Sequence, residues 1–369
     1  METVPGPLAR WPTVTVGDVF DIQQGKALSA AARGASERFS FLRTSNVLWN
    51  QLDLRSVDAM GMSAQERSRL ALVPGDLLVC EGGEIGRAAV WRGEMAECFY
   101  QNHIHRLRGR RELCADFFAF WFRYAFSMSD IYQGAGTRTT IANLSGGRLS
   151  ALLVPFPPLE EQRRVSRILS TIQQAQAAGG AVSAALVTAR KSLVGLLFSR
   201  GDWPQVRLGD VVTLQRGHDL PSHVRQPGEV PVISSSGITG FHSVAQAQGP
   251  GVVIGRYGTL GQVHYVDGPY WPLNTTLYVK NFHGNEPRFV RFFLETIAYA
   301  DHNDKTSVPG VNRNDLHALR VAWPSPADQV RIADVLAALD RRILAAVKAS
   351  DSLRKVFDAA LIKLLEGNV

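Results

Sequence analysis

The chain carries the same segment twice. Trp11-Pro12-Thr13-Val14-Thr15-Val16-Gly17-Asp18-Val19 returns 192 residues later as Trp203-Pro204-Gln205-Val206-Arg207-Leu208-Gly209-Asp210-Val211. A repeat on this scale constrains the fold strongly, because each copy must be a structural unit. The match continues through Gln23 and Gln215, Gly25 and Gly217, and Leu28 and Leu220. The offset falls to 175 at two glycine-rich stretches, one ending Gly83-Glu84-Ile85-Gly86 and the other running Gly255 to Gly261. It is 172 at Asn102 and Asn274 and at Phe117 and Phe289, then 167 where Pro157 to Gln162 meets Pro324 to Gln329. Copy one is therefore 25 residues longer, and 17 of these lie between its opening strand and its glycine stretch, naturally within Leu48 to Leu72. Matching ends around divergent middles suit two readers of different targets. Loops drifting after an old duplication would leave the same mark.

Each copy reads as α+β. Val14, Val16 and Val19, then Phe41-Leu42, then Leu77-Leu78-Val79 form short β-patterns bounded by Gly and Pro. Phe117 to Phe126 and Phe289 to Tyr299 are aromatic-rich with helical period, as packing helices are. After Pro157-Pro158, a proline-free pattern runs from Leu159 to Phe198. One heptad row holds Val165, Ile172, Gly179, Leu186 and Leu193, and its companion holds Ile168, Ala175, Val182, Ala189 and Leu196. After Pro324 and Pro326 the second pattern has Leu336, Ile343, Ser350, Phe357 and Leu364, with Ile332, Leu339, Ala346, Leu353 and Ala360. Helices of that length, roughly 60 Å at about 1.5 Å per residue, cannot bury their stripes on one small domain and are expected to pack on each other. Gly179-Gly180 either breaks the first helix or, with the neighbouring alanines, lets another helix approach closely. The resulting domain plan is 1–156, a spacer 157–200, 201–324 and a spacer 325–369, with two pseudo-symmetric domains separated by an antiparallel coiled coil.

Composition narrows the function classes. Forty Lys and Arg against 33 Asp and Glu give a net charge of +7, which mildly favours a polyanionic partner. Cys80, Cys98 and Cys114 are odd in number and lack CxxC spacing, so neither a disulfide framework nor a zinc site is expected, and a reducing cytoplasm fits. No signal peptide is evident, and no stretch reads as a membrane span. Catalytic signatures do not appear: there is no GxxxxGK[ST] phosphate loop, no HExxH and no Asn/Asp-Pro-Pro-aromatic methyltransferase motif. Glu81 and Glu84 flank glycines and read as solvated turn residues, and His103 and His105 as surface or satisfied core groups.

The paired openings, the stretches Glu81-Gly82-Gly83-Glu84-Ile85-Gly86 and Gly255-Arg256-Tyr257-Gly258-Thr259-Leu260-Gly261, and the two proline-rich helix starts occur in duplicated order. Those starts read Pro155-Phe156-Pro157-Pro158-Leu159-Glu160-Glu161-Gln162 and Trp323-Pro324-Ser325-Pro326-Ala327-Asp328-Gln329. Over essentially its whole length the chain resembles the specificity subunit of Type I restriction–modification enzymes. The resemblance implies two target-recognition domains, each reading half of a bipartite, asymmetric double-stranded DNA sequence. It implies an antiparallel coiled coil that spaces the halves and docks two adenine methyltransferase subunits, which a translocating restriction subunit then joins. The chain itself would be non-catalytic and bind no cofactor; S-adenosylmethionine, ATP and Mg would belong to the partners.

Phosphate contacts would supply affinity, and side chains at base edges specificity. Arg to guanine and Asn or Gln to adenine are the commonest base pairings. Polar loops flanked by glycine offer Arg43, Thr44, Ser45, Asn46, Arg138, Thr139 and Thr140 in copy one. In copy two they offer Ser234, Ser235, Ser236, Arg256, Tyr257, Lys305, Thr306 and Ser307. A capped turn or solvated loop would use the same residue types. A coiled-coil scaffold with duplicated protein-binding domains is the alternative function.

Overall fold

The computed structural model describes residues 10–129, 131–132, 143–199, 202–299 and 310–366. It divides into two compact units, Met1–Ala178 with Ser350–Val369, and Gly179–Ala349. The division runs through both long helices rather than at their ends.

In the first unit a four-stranded antiparallel sheet has the order Phe20–Gln24, Ile104–Gly109, Leu77–Cys80, Ala88–Val90. Its period of two sorts side chains into two cores. Leu77, Val79, Ala88 and Val90 face one cluster, while Leu78, Cys80, Ala89 and Trp91 face another. A strand buried on both faces needs an unbroken apolar run, and Leu77-Leu78-Val79-Cys80 supplies it. The first cluster is filled by the helix Ala115–Ser127, whose Phe117, Phe118, Phe120, Trp121, Phe122 and Tyr124 are all buried. Against the second lies a three-stranded sheet, Asp58–Met60, Phe39–Leu42, Cys98–Tyr100, in which the last pair is parallel.

The second unit repeats this plan. Its four-stranded sheet runs Thr213–Arg216, Thr276–Asn281, Gly251–Gly255, Val263–Val266. Its three-stranded sheet runs Gly237–His242, Val230–Ser234, Trp271–Pro272, again with one parallel pair. The aromatic helix is shorter, Pro287–Leu294, and ends before Tyr299, whose hydroxyl donates to Leu294 O. Equivalence reaches single hydrogen bonds. The Asn102 N–H donates to Lys26 O as that of Asn274 does to His218 O, both 3.0 Å. A Cβ on Gly25 would strike the carbonyl oxygens of Tyr100 and Gln101, and one on Gly217 those of Pro272 and Leu273. Those glycines admit a close backbone crossing that any other residue would block.

Most of the length difference lies where it was expected. Between its strands Phe39–Leu42 and Asp58–Met60, copy one inserts a short hairpin, Val47–Leu48 with Gln51–Leu52. After Met60 it adds the helix Ala64–Leu70, which opens with a Ser63–Glu66 capping box. Copy two instead turns directly from Val230–Ser234 into Gly237–His242.

The long helices span Leu159–Phe198 and Pro326–Glu366. Matching rows seat on matching cores. In the first unit these are Val165 and Leu169 of one helix with Phe357, Leu361 and Leu364 of the other. In the second they are Ile332 and Leu336 with Leu193, Val194 and Leu197. A buried glutamine sets each helix start. Gln162 Nε2 donates to Pro157 O (2.9 Å) and its Oε1 accepts from the Cys114 N–H (2.9 Å). Gln329 likewise donates to Pro324 O (3.1 Å) and accepts from the Glu286 N–H (3.0 Å).

The charges beside the helices are not repeated. In the first unit Arg123 lies over the Phe357 ring (4.3 Å) and pairs with Asp358 at 3.9 Å. In the second, Arg190 is tied to Glu295 (2.8 Å) and to Asp340, and Arg291 bonds both acids at 2.9 and 3.1 Å. At offsets of 172 and 167, Glu295 stands where Arg123 does, and Arg190 where Phe357 does.

Two expectations need correction. The first helix is unbroken at Gly179-Gly180, and a Cβ built on either glycine meets nothing within 4 Å, so no close packing occurs there within the described residues. The same helix does contain an 18-residue window of mean hydropathy 1.5, enough by length and composition to cross a membrane. Leucine and valine carry most of that value, and the helix ends are engaged in the cores just described.

Replacing Gln162 by Ala leaves the Pro157 carbonyl and the Cys114 N–H without these partners, and such a loss costs about 1–3 kcal/mol per buried group. We expect Gln162→Ala to lower the denaturation midpoint and to speed amide exchange around Leu159 but not around Gln329. Gln329→Ala should do the reverse. Exchange that rises equally at both helix starts would contradict the pin.

Candidate nucleic-acid interface

The structure brings one candidate loop of each copy to an equivalent place. The parallel pairing Leu42↔Tyr100 corresponds to Ile233↔Pro272. Arg43-Thr44-Ser45 therefore leaves its strand as Ser234-Ser235-Ser236 leaves its own. In both units a basic or imidazole side chain from beyond the glycine stretch fixes the central residue of this loop. Arg87 donates to Thr44 O, and His264 Nε2 to Ser235 O at 3.2 Å.

Within the first loop the four residues differ sharply. Arg43 is half exposed and ion-paired with Asp58. Thr44 is partly covered, its Oγ1 3.5 Å from Gln101 Nε2, and Ser45 is exposed. Asn46 corrects an expectation: it is buried, and its amide is spent on the chain. Its Oδ1 accepts from the Arg43 N–H, and its Nδ2 donates to Asp53 O and Ser56 O, each at 2.8 Å. Asn46 holds the loop closed and has no amide hydrogen left for an adenine.

Ser234 is also buried; its Oγ donates to Gly237 O (3.1 Å) and accepts from the Ser236 N–H (3.2 Å). It is a turn residue, and Ser235 and Ser236 carry the accessible hydroxyls. Ser235 also approaches the second glycine stretch, since a Cβ on Gly255 would come within 3.1 Å of its own Cβ. Arg256 lies over the Tyr257 ring (4.5 Å) and donates to Val311 O (3.2 Å). Thus Ser235 sits against the glycine stretch that carries Arg256 and Tyr257 in the second unit. Arg138, Thr139, Thr140, Lys305, Thr306 and Ser307 lie outside the described residues.

Around the first glycine stretch, Glu81 is buried rather than solvated. Its carboxylate lies 3.5 Å from His103 Nδ1 and accepts from Gln24 Nε2 at 3.4 Å. Glu84 is exposed as expected, and accepts from Trp49 Nε1 at 2.6 Å. His103 is exposed, while His105 is buried with Nε2 donating to Leu144 O at 3.0 Å. Burial pushes the thiols of Cys80 and Cys98 up to about 11 and about 12, so neither is a reactive thiolate at neutral pH. No group of three or more His, Cys, Asp or Glu is placed to hold a metal ion among the described residues.

This architecture has known relatives. The profile of the Type I restriction modification DNA specificity domain matches residues 9–178 and 200–350. The chain belongs to that family. It is 20% identical over 222 residues to a putative type I restriction enzyme MjaX specificity subunit of Methanocaldococcus jannaschii, covering 54% of this chain and 52% of that protein. The chain thus matches about half the length of this curated relative. Its fold is like that of the Type-I restriction-modification system S subunit from M. genitalium, with TM-score 0.65, 18% identity and 96% of each chain covered. A second solved structure, described as the structural basis of complex assembly and conformational transition of the type I R-M system, gives TM-score 0.60 at 16% identity with both chains fully covered.

Two histidines give the specificity chain a pH dependence. Burial holds His105 below its ordinary value of about 6.5, against the opposing pull of Leu144 O and Glu81. Burial and then the charge of Arg313 lower His317, whose Nε2 accepts from the Leu214 N–H at 2.8 Å and must be unprotonated to do so. Both are neutral when folded and titrate higher when unfolded, so the unfolded chain takes up protons first as pH falls. Stability present above about pH 6.5 is lost as pH drops through the folded values. Urea midpoints should fall between pH 7.5 and 5.5, and fall less in a His105→Gln, His317→Gln double variant. An unchanged pH slope in that variant would assign the effect elsewhere.

Proposed function

We propose that the chain is the DNA-reading subunit of a Type I restriction–modification complex, each unit reading one half of a bipartite, asymmetric duplex target. One observation carries the reading. The two units place equivalent loops on equivalent scaffolds but furnish them differently, with Arg43, Ser45 and an inserted hairpin in one and Ser235, Ser236 and Arg256 in the other. Identical support with different chemistry is what reading two different sequences requires, because phosphate contacts position a protein while base-edge contacts discriminate. The net charge of +7 supplies the attraction to a polyanion.

The long helices serve as spacer and docking platform. Val182, Val187, Leu196, Val335, Leu344 and Val347 are exposed along them, apolar surface that a docked partner would bury. Two adenine methyltransferase subunits would cover these faces, and a translocating restriction subunit would join them. S-adenosylmethionine, ATP and Mg would be bound by those partners in the cytoplasm, not by this chain.

The test is to map adenine methylation in a genome expressing the chain with the methyltransferase of its system. We expect one two-part motif with a fixed gap, lost when the chain is deleted. Binding of the purified complex to that duplex should weaken linearly in log K against log salt. Partner assembly without sequence-selective DNA binding would favour the scaffold reading. In the same assay Arg43→Ala and Arg256→Ala should weaken duplex binding more than Val187→Ala, which should weaken methyltransferase assembly.

A further inference from the structure

We infer that Arg55 reads a guanine in the half-site of the first unit, its guanidinium aimed by Asp53. The inference rests on the DNA-reading role proposed above. Arg55 lies in the segment that only copy one possesses, and its side chain is 90% exposed. A free arginine with that exposure would sample many rotamers. This one is held: its Nε and Nη2 donate to the two Asp53 carboxylate oxygens at 2.9 and 2.6 Å, and its own N–H donates to Asp53 Oδ1 at 3.1 Å. Asp53 is fixed in turn, its N–H donating to Asn46 O and its carbonyl accepting from Asn46 Nδ2, each at 2.8 Å. Buried Asn46 therefore anchors Asp53, and Asp53 anchors Arg55.

The geometry of the fork decides what is left over. A guanidinium has two donor edges that can engage a pair of acceptors. Asp53 occupies the edge formed by Nε and Nη2. The other edge, formed by Nη1 and Nη2, remains to make two parallel hydrogen bonds outward, the pattern that O6 and N7 of guanine accept. Locking the side chain before binding removes ordering entropy that a mobile arginine would lose on the DNA. Hydrogen bonding to Arg55 holds the Asp53 carboxyl down at about 2, so the support keeps its charge at any working pH. Arg55 shares a depression of about 390 Å³ with Arg43, Ser45, Ser56 and Asp58, so the loop already assigned to the interface lines the same surface.

Among the described residues, the equivalent hairpin of the second unit carries no matching fork. Arg225 reaches the equivalent hairpin, donating to Thr239 O at 2.9 Å, and lies 3.4 and 3.5 Å from Leu220 O. Its guanidinium is committed to backbone, so the guanine contact distinguishes the first half-site from the second.

The experiment is methylation-motif mapping with the full chain in its complex, comparing the unaltered chain with Arg55→Ala, Arg55→Lys and Asp53→Asn. Arg55→Ala should abolish preference at one guanine of one half-site, about tenfold or more, and leave every other position intact. Arg55→Lys keeps the charge without the fork and should relax the same position. Asp53→Asn, which alters a positioning residue, should relax it partially, with the denaturation midpoint measured to separate aiming from folding. An unchanged motif in Arg55→Ala, or equal weakening at all sites, would overturn the assignment, the second outcome marking a phosphate contact. If the unaltered chain yields no two-part motif, the DNA-reading role fails first and the assignment falls with it.

Discussion

Forty-residue helices with an apolar row on one side are stable in water only if something covers that row. Here each globular core covers one half of each helix. Val165 and Leu169 meet Phe357, Leu361 and Leu364 over the aromatic helix of the first unit, and the same rows recur in the second. The glutamines at 162 and 329 fix where each helix begins relative to its core. Each sheet, in turn, is buried on both faces because that helix layer lies on one side and the three-stranded sheet on the other. Loop placement follows from this layering, since the candidate loops leave the strands whose register the buried faces determine.

Much of this was legible from residues alone. Repeat boundaries, the helical rows and the site of the insertion could be followed because burial imposes periodicity and duplication preserves spacing. Roles of single polar residues were less legible. Asn46 and Ser234 have the composition of contact residues, yet both are turned inward to satisfy backbone groups. Glu81 looks like a turn residue between glycines but is drawn under the surface beside His103 and Gln24. A sequence shows which side chains can make hydrogen bonds but not whether the nearest partner is the chain itself. The pair Asp53 and Arg55 carried a usable signal, an acid two residues before a base inside the segment unique to one copy. Gly179-Gly180 misled for a related reason, since small residues permit close packing without requiring a neighbour.

The two units also illustrate how surface loops can diverge while their support does not. Carbonyls at Thr44 and Ser235 are held by different side chains, Arg87 and His264, in one spatial role. The glycine crossings at Gly25 and Gly217 have kept their sterically enforced residue. What changes is confined to connections that leave the scaffold, where added residues cost little closure entropy. A hairpin and a short helix could thus enter one copy without disturbing the strands on either side.

Duplication starts with interchangeable halves, and the charges beside the helices indicate how this chain ceased to have them. If the second half of the first helix seated on the first unit, Arg190 and Lys191 would arrive where Phe357 and Asp358 belong, facing Arg123. The converse exchange would set Asp358 toward Glu295 and strip Arg190 from its two acids. Each error brings like charges together at a partly buried site, where screening by solvent is weakest. Kinship between the halves is retained in the backbone and refused in the electrostatics, so each half-helix carries charges that suit one core of the chain and not the other.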